Sequence, residues 1–479
     1  MVYSAYYRRR AAIVATIGPA TAETSQLNAM LRAGMTIARL NFSHGDFSQH
    51  AAYVGNIRQA ARQTRLPVAV LIDLPGPKYR IGRLKDGQVV LTNNSEVRLT
   101  DADIEGDESV LPVNLPGLAQ NIKKGDIVLL DDGALRLRVR EIRDGDIICR
   151  VIDGGLLQQG KGLVVPGMRI PIPFLTARLR ESLLFAVTQK PDYLALSFVT
   201  SAQDIEDVRN ILKENNITIP IIAKIERAEA VANFDAILKA ADGIMVARGD
   251  LGVEMPLERI PLIQKEIIRA CNRAGKPVIT ATEMLESMIN EPRPTRAETT
   301  DVANAIFDGT DAVMLSAETS VGKYPVQAVR MMARIAREAE KRLPYDRILA
   351  ERRLWLEQET DELIAFNACQ TAYSLKAKAI IAFTQSGSTA RRVSRYRPGV
   401  PILALTPDEE VMGRLLLYWG VHPLKVTGPR NVEKIFPLAA KLAVDEGLAK
   451  PGDLIVITAG IPIGEAGSTN MLKVERISG

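Results

Sequence analysis

The chain has 479 residues, 47% hydrophobic, 5% aromatic and 24% charged, a balance that suits a globular α/β protein and excludes disordered, fibrous and low-complexity classes. Its 61 basic and 56 acidic residues leave a net charge of +5, too slight and dispersed for a nucleic-acid groove and better matched to anionic small molecules. No apolar run approaches the ~18 residues of a membrane span, residues 1–10 lack a secretory apolar core, and Cys149, Cys271 and Cys369 show no CxxC spacing. A cytoplasmic protein with reduced thiols, no zinc site and no membrane or nucleic-acid partner is expected.

In chain order, short apolar runs followed by helical periodicity fall at 12–17, 36–42 and 68–72, then at 193–199, 220–225, 243–247, 277–281 and 311–315. Eight strands alternating with helices predict a (β/α)8 TIM barrel. Ser201 to Glu214 and Pro261 to Ala274 carry helical spacing between strands. The pattern breaks from residue 78 to about 169, where Gly-Asp and Asp-Gly turns separate β-like runs at 89–91, 127–130 and 147–149. A structureless loop that long is improbable inside a compact domain, so an inserted all-β lid is expected. After Pro344, strands at 379–384, 402–405 and 453–458 alternate with helices and predict an open α/β domain. The division expected is therefore 1–77 with 170–344 for the barrel, 78–169 for the lid and 345–479 for the C-terminal domain.

Barrel chemistry belongs at the C-terminal ends of the strands. Polar residues fall there in number: Arg39, Asn41 and Ser43; Asp73; Ser197; Lys224 and Glu226; Arg248 and Asp250; Thr280 and Thr282; Ser316 and Glu318. Lys224 and Glu226 stand at i and i+2, on one side of a strand. Glu226 and Asp250, from neighbouring strands, suit a Mg2+ (or Mn2+) ion held by one or two carboxylates while water and substrate oxygens fill the octahedron. A buried ion-pair cluster closing the sheet end is the competing reading. No Gly-x-x-x-x-Gly-Lys-Ser/Thr run exists, which removes a P-loop kinase.

Thr36 to Gly45, Ala223 to Glu226, Gly243 to Gly252, Asn272 to Val278, Met284 to Met288, Pro292 to Glu298, Asp301 to Asn304 and Met314 to Thr319 together closely resemble pyruvate kinase, almost end to end. The resemblance implies transfer of the phosphoryl group of phosphoenolpyruvate to ADP, giving pyruvate and ATP, in a homotetramer whose C-terminal domain carries effector control. By the match, Glu226 and Asp250 hold the divalent ion. Lys224 and Arg39 face the transferring phosphoryl group, and Ala247, Arg248, Gly249, Asp250 and Thr282 surround the substrate. Thr282, Ser316 and Glu318 form a proton relay. Asn41, His44 and Arg80 lie toward the nucleotide, with a turn role for His44 and a strand-end salt bridge from Arg39 to Asp73 as competing or concurrent readings. A metal-enolate lyase on a related barrel and a metabolite sensor are the alternatives, separated by ATP formation from phosphoenolpyruvate and ADP.

The chain departs from the family at Asp73-Leu-Pro-Gly-Pro-Lys-Tyr-Arg80, where most members read Asp-Thr-Lys-Gly-Pro-Glu-Ile-Arg. The family potassium site matches Asn41, Ser43, Asp73 and the Leu74 carbonyl. Lys78, a compact point charge in place of the glutamate, is expected to occupy the K+ position and remove the need for that ion. A solvated lysine at the lid hinge is the plainer alternative. Pro75, Thr200 and Glu283 also differ from the usual lysine, arginine and glutamine. In the C-terminal domain, Thr384, Ser386, Gly387, Ser388 and Thr389 lie between a strand and a basic helix, a cradle for the phosphate of an activator such as a sugar phosphate or AMP.

Overall fold

A computed structural model describes residues 9–114, 117–168, 173–426, 432–462 and 469–478. The expected junction at 169–170 and most of the N-terminal decapeptide lie outside these residues. Eight parallel strands close a barrel: β1 (Ala12–Thr16), β2 (Ile37–Asn41), β3 (Ala69–Leu74), β4 (Tyr193–Leu196), β5 (Ile221–Ile225), β6 (Gly243–Ala247), β7 (Val278–Ala281) and β8 (Ala312–Leu315). Each pairs with its sequence neighbours, and β8 returns to β1 with Ala12 opposite Ala312. The helices expected on the outer face run from Ala202 to Glu214, opened by a Ser201 capping box, and from Ile260 to Ala274.

Side chains alternate across each strand, so every second residue enters the barrel. Val14, Ile37, Leu71, Ile222, Met245, Ile279 and Met314 pack inside, together with Leu416 and Leu417, which enter from the C-terminal domain and belong to the same interior cluster. Two residues further along the same strands stand Thr16, Arg39, Asp73 and Lys224. The period that buries an apolar middle layer thus delivers a polar layer at the rim.

Between β3 and β4 the chain builds a seven-stranded sheet, including Tyr79–Arg80, Ile127–Leu130, Leu135–Arg143 and Asp146–Asp153, and a two-stranded ribbon of Gln88–Leu91 with Gly155–Gln158. This insertion has its own apolar core around Val97, Leu99, Val128, Leu137 and Val151. Two short helical turns, Lys85–Gly87 and Leu118–Asn121, interrupt its β character. The C-terminal sheet contains β9 (Ile380–Phe383), β10 (Ile402–Thr406), β11 (Val421–Lys425), β12 (Leu454–Gly460) and the antiparallel edge strand β13 (Thr469–Arg476). Apolar clusters cover both of its faces.

Candidate active site

Asp73 is the hub of the rim. It is fully buried at the end of β3, and Arg39 on the adjacent strand grips its Oδ2 through Nε at 2.8 Å and Nη2 at 2.7 Å. The third guanidinium nitrogen, Nη1, donates to Thr16 Oγ1 at 2.8 Å. Lys224 Nζ lies 3.2 Å from Asp73 Oδ1, 2.8 Å from Glu226 Oε1 and 2.8 Å from Ser197 Oγ. Glu226 also accepts the Phe198 N–H at 2.7 Å, from a residue held at φ 59°. The strand-end salt bridge expected for Arg39 is therefore present, and it fixes the guanidinium while the residue lines a cleft shared with Asn41, Ser43, His44, Lys78, Arg80, Lys224, Glu226 and Asp250.

Electrostatics follow from how the cations are divided. Burial opposes ionisation of Asp73, but Lys224 and Arg39 together hold its carboxyl below the ordinary range. Burial likewise works against the Lys224 ammonium, and Asp73 and Glu226 outweigh it, so Lys224 stays charged. Glu226 has only a share of that one cation. Its burial and the nearby Asp250 push its carboxyl up, against the pull of Lys224. A buried carboxylate pushed toward protonation, with Asp250 on the neighbouring strand end, is an oxygen donor pair whose ionised form a divalent cation would favour. Among the described residues no cluster of three or more ligand-type side chains occurs, so such an ion would rely on water and substrate oxygens as well.

Lys78 does not lie against the expected potassium ligands. Its ammonium pairs with Asp250 Oδ1 at 3.0 Å and with Asp132 of the lid at 3.6 Å, and sits 5.2 Å from the Phe198 ring centre. The oxygens of Asp73 are already committed to Arg39, Lys224 and Ser197, so the stronger pull on Lys78 comes from the acid across the cleft. Burial disfavours the charge, but Asp250 and Asp132 more than restore it.

Several expected site residues act through their backbone or as supports. Arg248 turns away to Asp301 at 2.7 Å and to the Thr282 carbonyl at 2.7 Å, bracing the loop after β7. The Gly249 N–H, expected to meet a substrate carboxylate, donates to Thr282 Oγ1 at 2.7 Å. Thr282 and Glu283 have φ of 67° and 54°, a left-handed turn that a β-branched residue adopts only under constraint. Glu318 accepts the Leu285 N–H at 3.1 Å and the Ser316 N–H at 2.7 Å, which makes it a tie for two strand ends. No described hydrogen bond links Ser316 or Glu318 directly to Thr282. His44 offers its carbonyl to His50 Nε2 at 2.8 Å, the turn role anticipated for it. Burial and then Arg80, Arg39 and Arg178 lower the pKa of its ring from the ordinary histidine value.

Arg80 donates to the Gly160 carbonyl at 2.9 Å, beside Arg178, a cleft residue that the sequence reading missed. Arg178 sits in the first turn of a helix beginning at Ala177, just after the lid, and not at a strand end, so the rim rule could not find it. Gln159 and Lys161, from the lid, complete the same wall and had no motif around them. The segment expected to cradle an effector phosphate turns at Gly387 (φ 82°), with Thr384 and Thr389 buried and Thr389 Oγ1 2.7 Å from Thr469 Oγ1.

A closed barrel whose rim joins two acids, a shared lysine and a clamped arginine beneath an inserted lid defines a (β/α)8 enzyme suited to phosphorylated, anionic substrates. Comparison with known proteins is specific. The models for the pyruvate kinase barrel domain and alpha/beta domain match residues 8–329 and 362–475. Pyruvate kinase of Geobacillus stearothermophilus is 46% identical over 474 residues, 98% of this chain and 81% of that relative. Pyruvate kinase of Staphylococcus aureus (strain MRSA252) is 42% identical over 471 residues, 98% of this chain and 80% of that protein. The crystal structure of a pyruvate kinase from Cryptosporidium parvum superposes with a TM-score of 0.92 at 37% identity, covering 99% of this chain and 97% of that one. The chain belongs to the pyruvate kinase family, glycolytic enzymes that use phosphoenolpyruvate and ADP and yield pyruvate and ATP.

Proposed function

We propose that phosphoryl transfer takes place over Lys224, with Glu226 and Asp250 as the protein ligands of Mg2+ or Mn2+ and with a fixed lysine, Lys78, in place of K+. The observation that carries this reading is the position of Lys224, a buried cation shared by Asp73 and Glu226 and open to the cleft. A preorganised cation stabilises charge where it develops, at the transferring phosphoryl group and the enolate oxygen it leaves behind. Bound on Glu226 and Asp250, the divalent ion would act as a Lewis acid and a template for substrate oxygens. Arg39, its fork fixed by Asp73 and Thr16, presents its remaining N–H groups to phosphoryl oxygens.

Thr282 sits where the enolate would be protonated, and its tie to the Gly249 amide sets its position. Asn41, His44 and Arg80, joined by Arg178, form the nucleotide side. Lys78 supplies one permanent positive charge in the same cleft by pairing with Asp250, which supports independence from K+ by charge replacement. The C-terminal domain takes a phosphorylated activator at the loop Thr384 to Thr389, the subunits assemble as a homotetramer, and the enzyme works in the cytoplasm. Among the described residues no helix is long and apolar enough to cross a membrane.

The test is ATP formation from phosphoenolpyruvate and ADP with Mg2+, in tetramethylammonium salts and then in potassium salts. Equal rates in the two support the proposal. A rate that collapses without potassium rejects the role given to Lys78, and no turnover in either rejects the catalytic assignment.

A further inference from the structure

Glu283 stands where the family usually has glutamine, directly after Thr282 and in the same left-handed turn, at φ 54°. Its main chain has a structural task, since the carbonyl accepts Arg248 Nη2 at 3.3 Å. The side chain is exposed and faces a second cleft between barrel and lid, lined also by Asp126, Asp132, Arg136, Arg248 and Gly249.

Both cations of that cleft are committed elsewhere, Arg136 to Asp153 and Arg248 to Asp301 at 2.7 Å. Asp132 leans on Lys78 at 3.6 Å, and Asp126 accepts the Lys123 N–H at 2.7 Å. Among the described residues no cation lies at ion-pair distance from the Glu283 carboxylate, and no hydrogen bond reaches it. Its charge is felt nearby: burial first, then Glu283 and Glu298, push the Glu286 carboxyl up. Glu283 also stands close to Gly249, where an added Cβ would meet Thr282 Oγ1 at 3.5 Å and Glu283 Oε1 at 3.8 Å. The bare face of Gly249 therefore opens onto a hydroxyl and an uncompensated carboxylate.

We propose that Glu283 sets the affinity of the site by repulsion: its carboxylate opposes the carboxylate that phosphoenolpyruvate and pyruvate both present to the backbone at Gly249. The inference rests on the phosphoryl-transfer reading and on the substrate placement beside Ala247 to Asp250 that the family match implies. Substrate, transition state and product all keep that carboxylate, so the repulsion falls on binding and leaves the chemical step alone. Asn41, His44 and Arg80, the nucleotide side, line the other cleft, which Glu283 does not enter. An exposed charge acts partly through water, so its effect is modest and screened by salt.

The experiment assays the full-length wild type, Glu283→Gln and Glu283→Asp with Mg2+ in about 0.05 M and about 0.5 M tetramethylammonium chloride, with a parallel series in potassium chloride. At low salt Glu283→Gln should lower KM for phosphoenolpyruvate about three- to tenfold, while kcat and KM for ADP move by less than about 1.5-fold. Glu283→Asp, which restores the charge, should return KM toward the wild-type value. The gap between wild type and Glu283→Gln should shrink by at least about half at high salt. Calorimetric Kd values for phosphoenolpyruvate with Mg2+ and no ADP should tighten by the same factor as KM. A change in KM and Kd below about twofold, equal tightening of ADP, or a gap indifferent to salt would each overturn the proposal. Absence of turnover in the wild type, in either salt, would instead fall on the phosphoryl-transfer reading, and the calorimetric comparison would still decide for or against the repulsion.

Discussion

Replacing Lys224 by glutamine tests the catalytic assignment at its centre. The ammonium lies within 3.2 Å of two buried carboxylates, and a neutral amide at that point leaves Glu226 without the ammonium that pairs with it while Asp73 keeps Arg39. Breaking a buried pair from one side costs about 3–5 kcal/mol. Because Arg39 still holds Asp73, the lower end, about 3 kcal/mol, is expected in urea unfolding at neutral pH. The effect on chemistry should be separate and larger in kind. Loss of a preorganised charge aimed at the developing anion lowers kcat by about 100- to 1000-fold, measured by pyruvate release coupled to lactate dehydrogenase. A kcat within threefold of wild type, in a variant whose unfolding shows the expected loss, would mean that Lys224 is a structural counter-ion and would refute the reasoning.

Lys78→Glu should remove activity in tetramethylammonium by at least about 100-fold and restore much of it on addition of K+, since a third acid beside Asp250 and Asp132 then calls for an exchangeable cation. Arg39→Lys keeps the charge but loses the fork that spans Asp73 and Thr16. A drop of about 10- to 100-fold in kcat/KM for phosphoenolpyruvate is expected with the fold retained, and unaltered kinetics would remove Arg39 from the phosphoryl site. Asp192, half-buried where the barrel meets Gly413 of the C-terminal domain, has its carboxyl pushed by desolvation from 3.8 up to about 6. The folded state therefore binds that proton more tightly than the unfolded state, so the cost of burying the charge is present above pH 6 and absent below about pH 4. Asp192→Asn, which keeps an acceptor for the Val70 N–H, should stabilise the protein by up to about 3 kcal/mol at pH 8. The gain should shrink toward zero near pH 4, and a gain independent of pH would contradict the account.

The barrel was legible because its strands combine two signals, short apolar runs and polar residues at their carboxyl ends. β1–β8 match the eight expected runs to within three residues at either end. The clustering of Arg39, Asp73, Lys224, Glu226 and Asp250 was legible for the same reason, since strand alternation carries residues two apart to one side. What sequence could not supply was partner choice. Lys78 is drawn to Asp250 and Asp132 because Asp73 is already saturated, a competition visible only in three dimensions. Arg248 braces the β7 loop, and Glu318 ties two strand ends, although both types of residue suit catalysis equally well on paper. Arg178 escaped notice because it enters the cleft from a helix start beyond the insertion.

Leu416 and Leu417 sit in the same apolar cluster as Val14, Ile222 and Met314. The barrel thus lacks part of its floor until a stretch about 100 residues beyond its last strand has been made. During synthesis the eight strands would exist for a time as a cup with an open apolar base, exposed to other chains. A nascent or truncated barrel should be sticky where the finished enzyme is sealed, and the C-terminal domain serves from the outset as a stopper for the domain that precedes it.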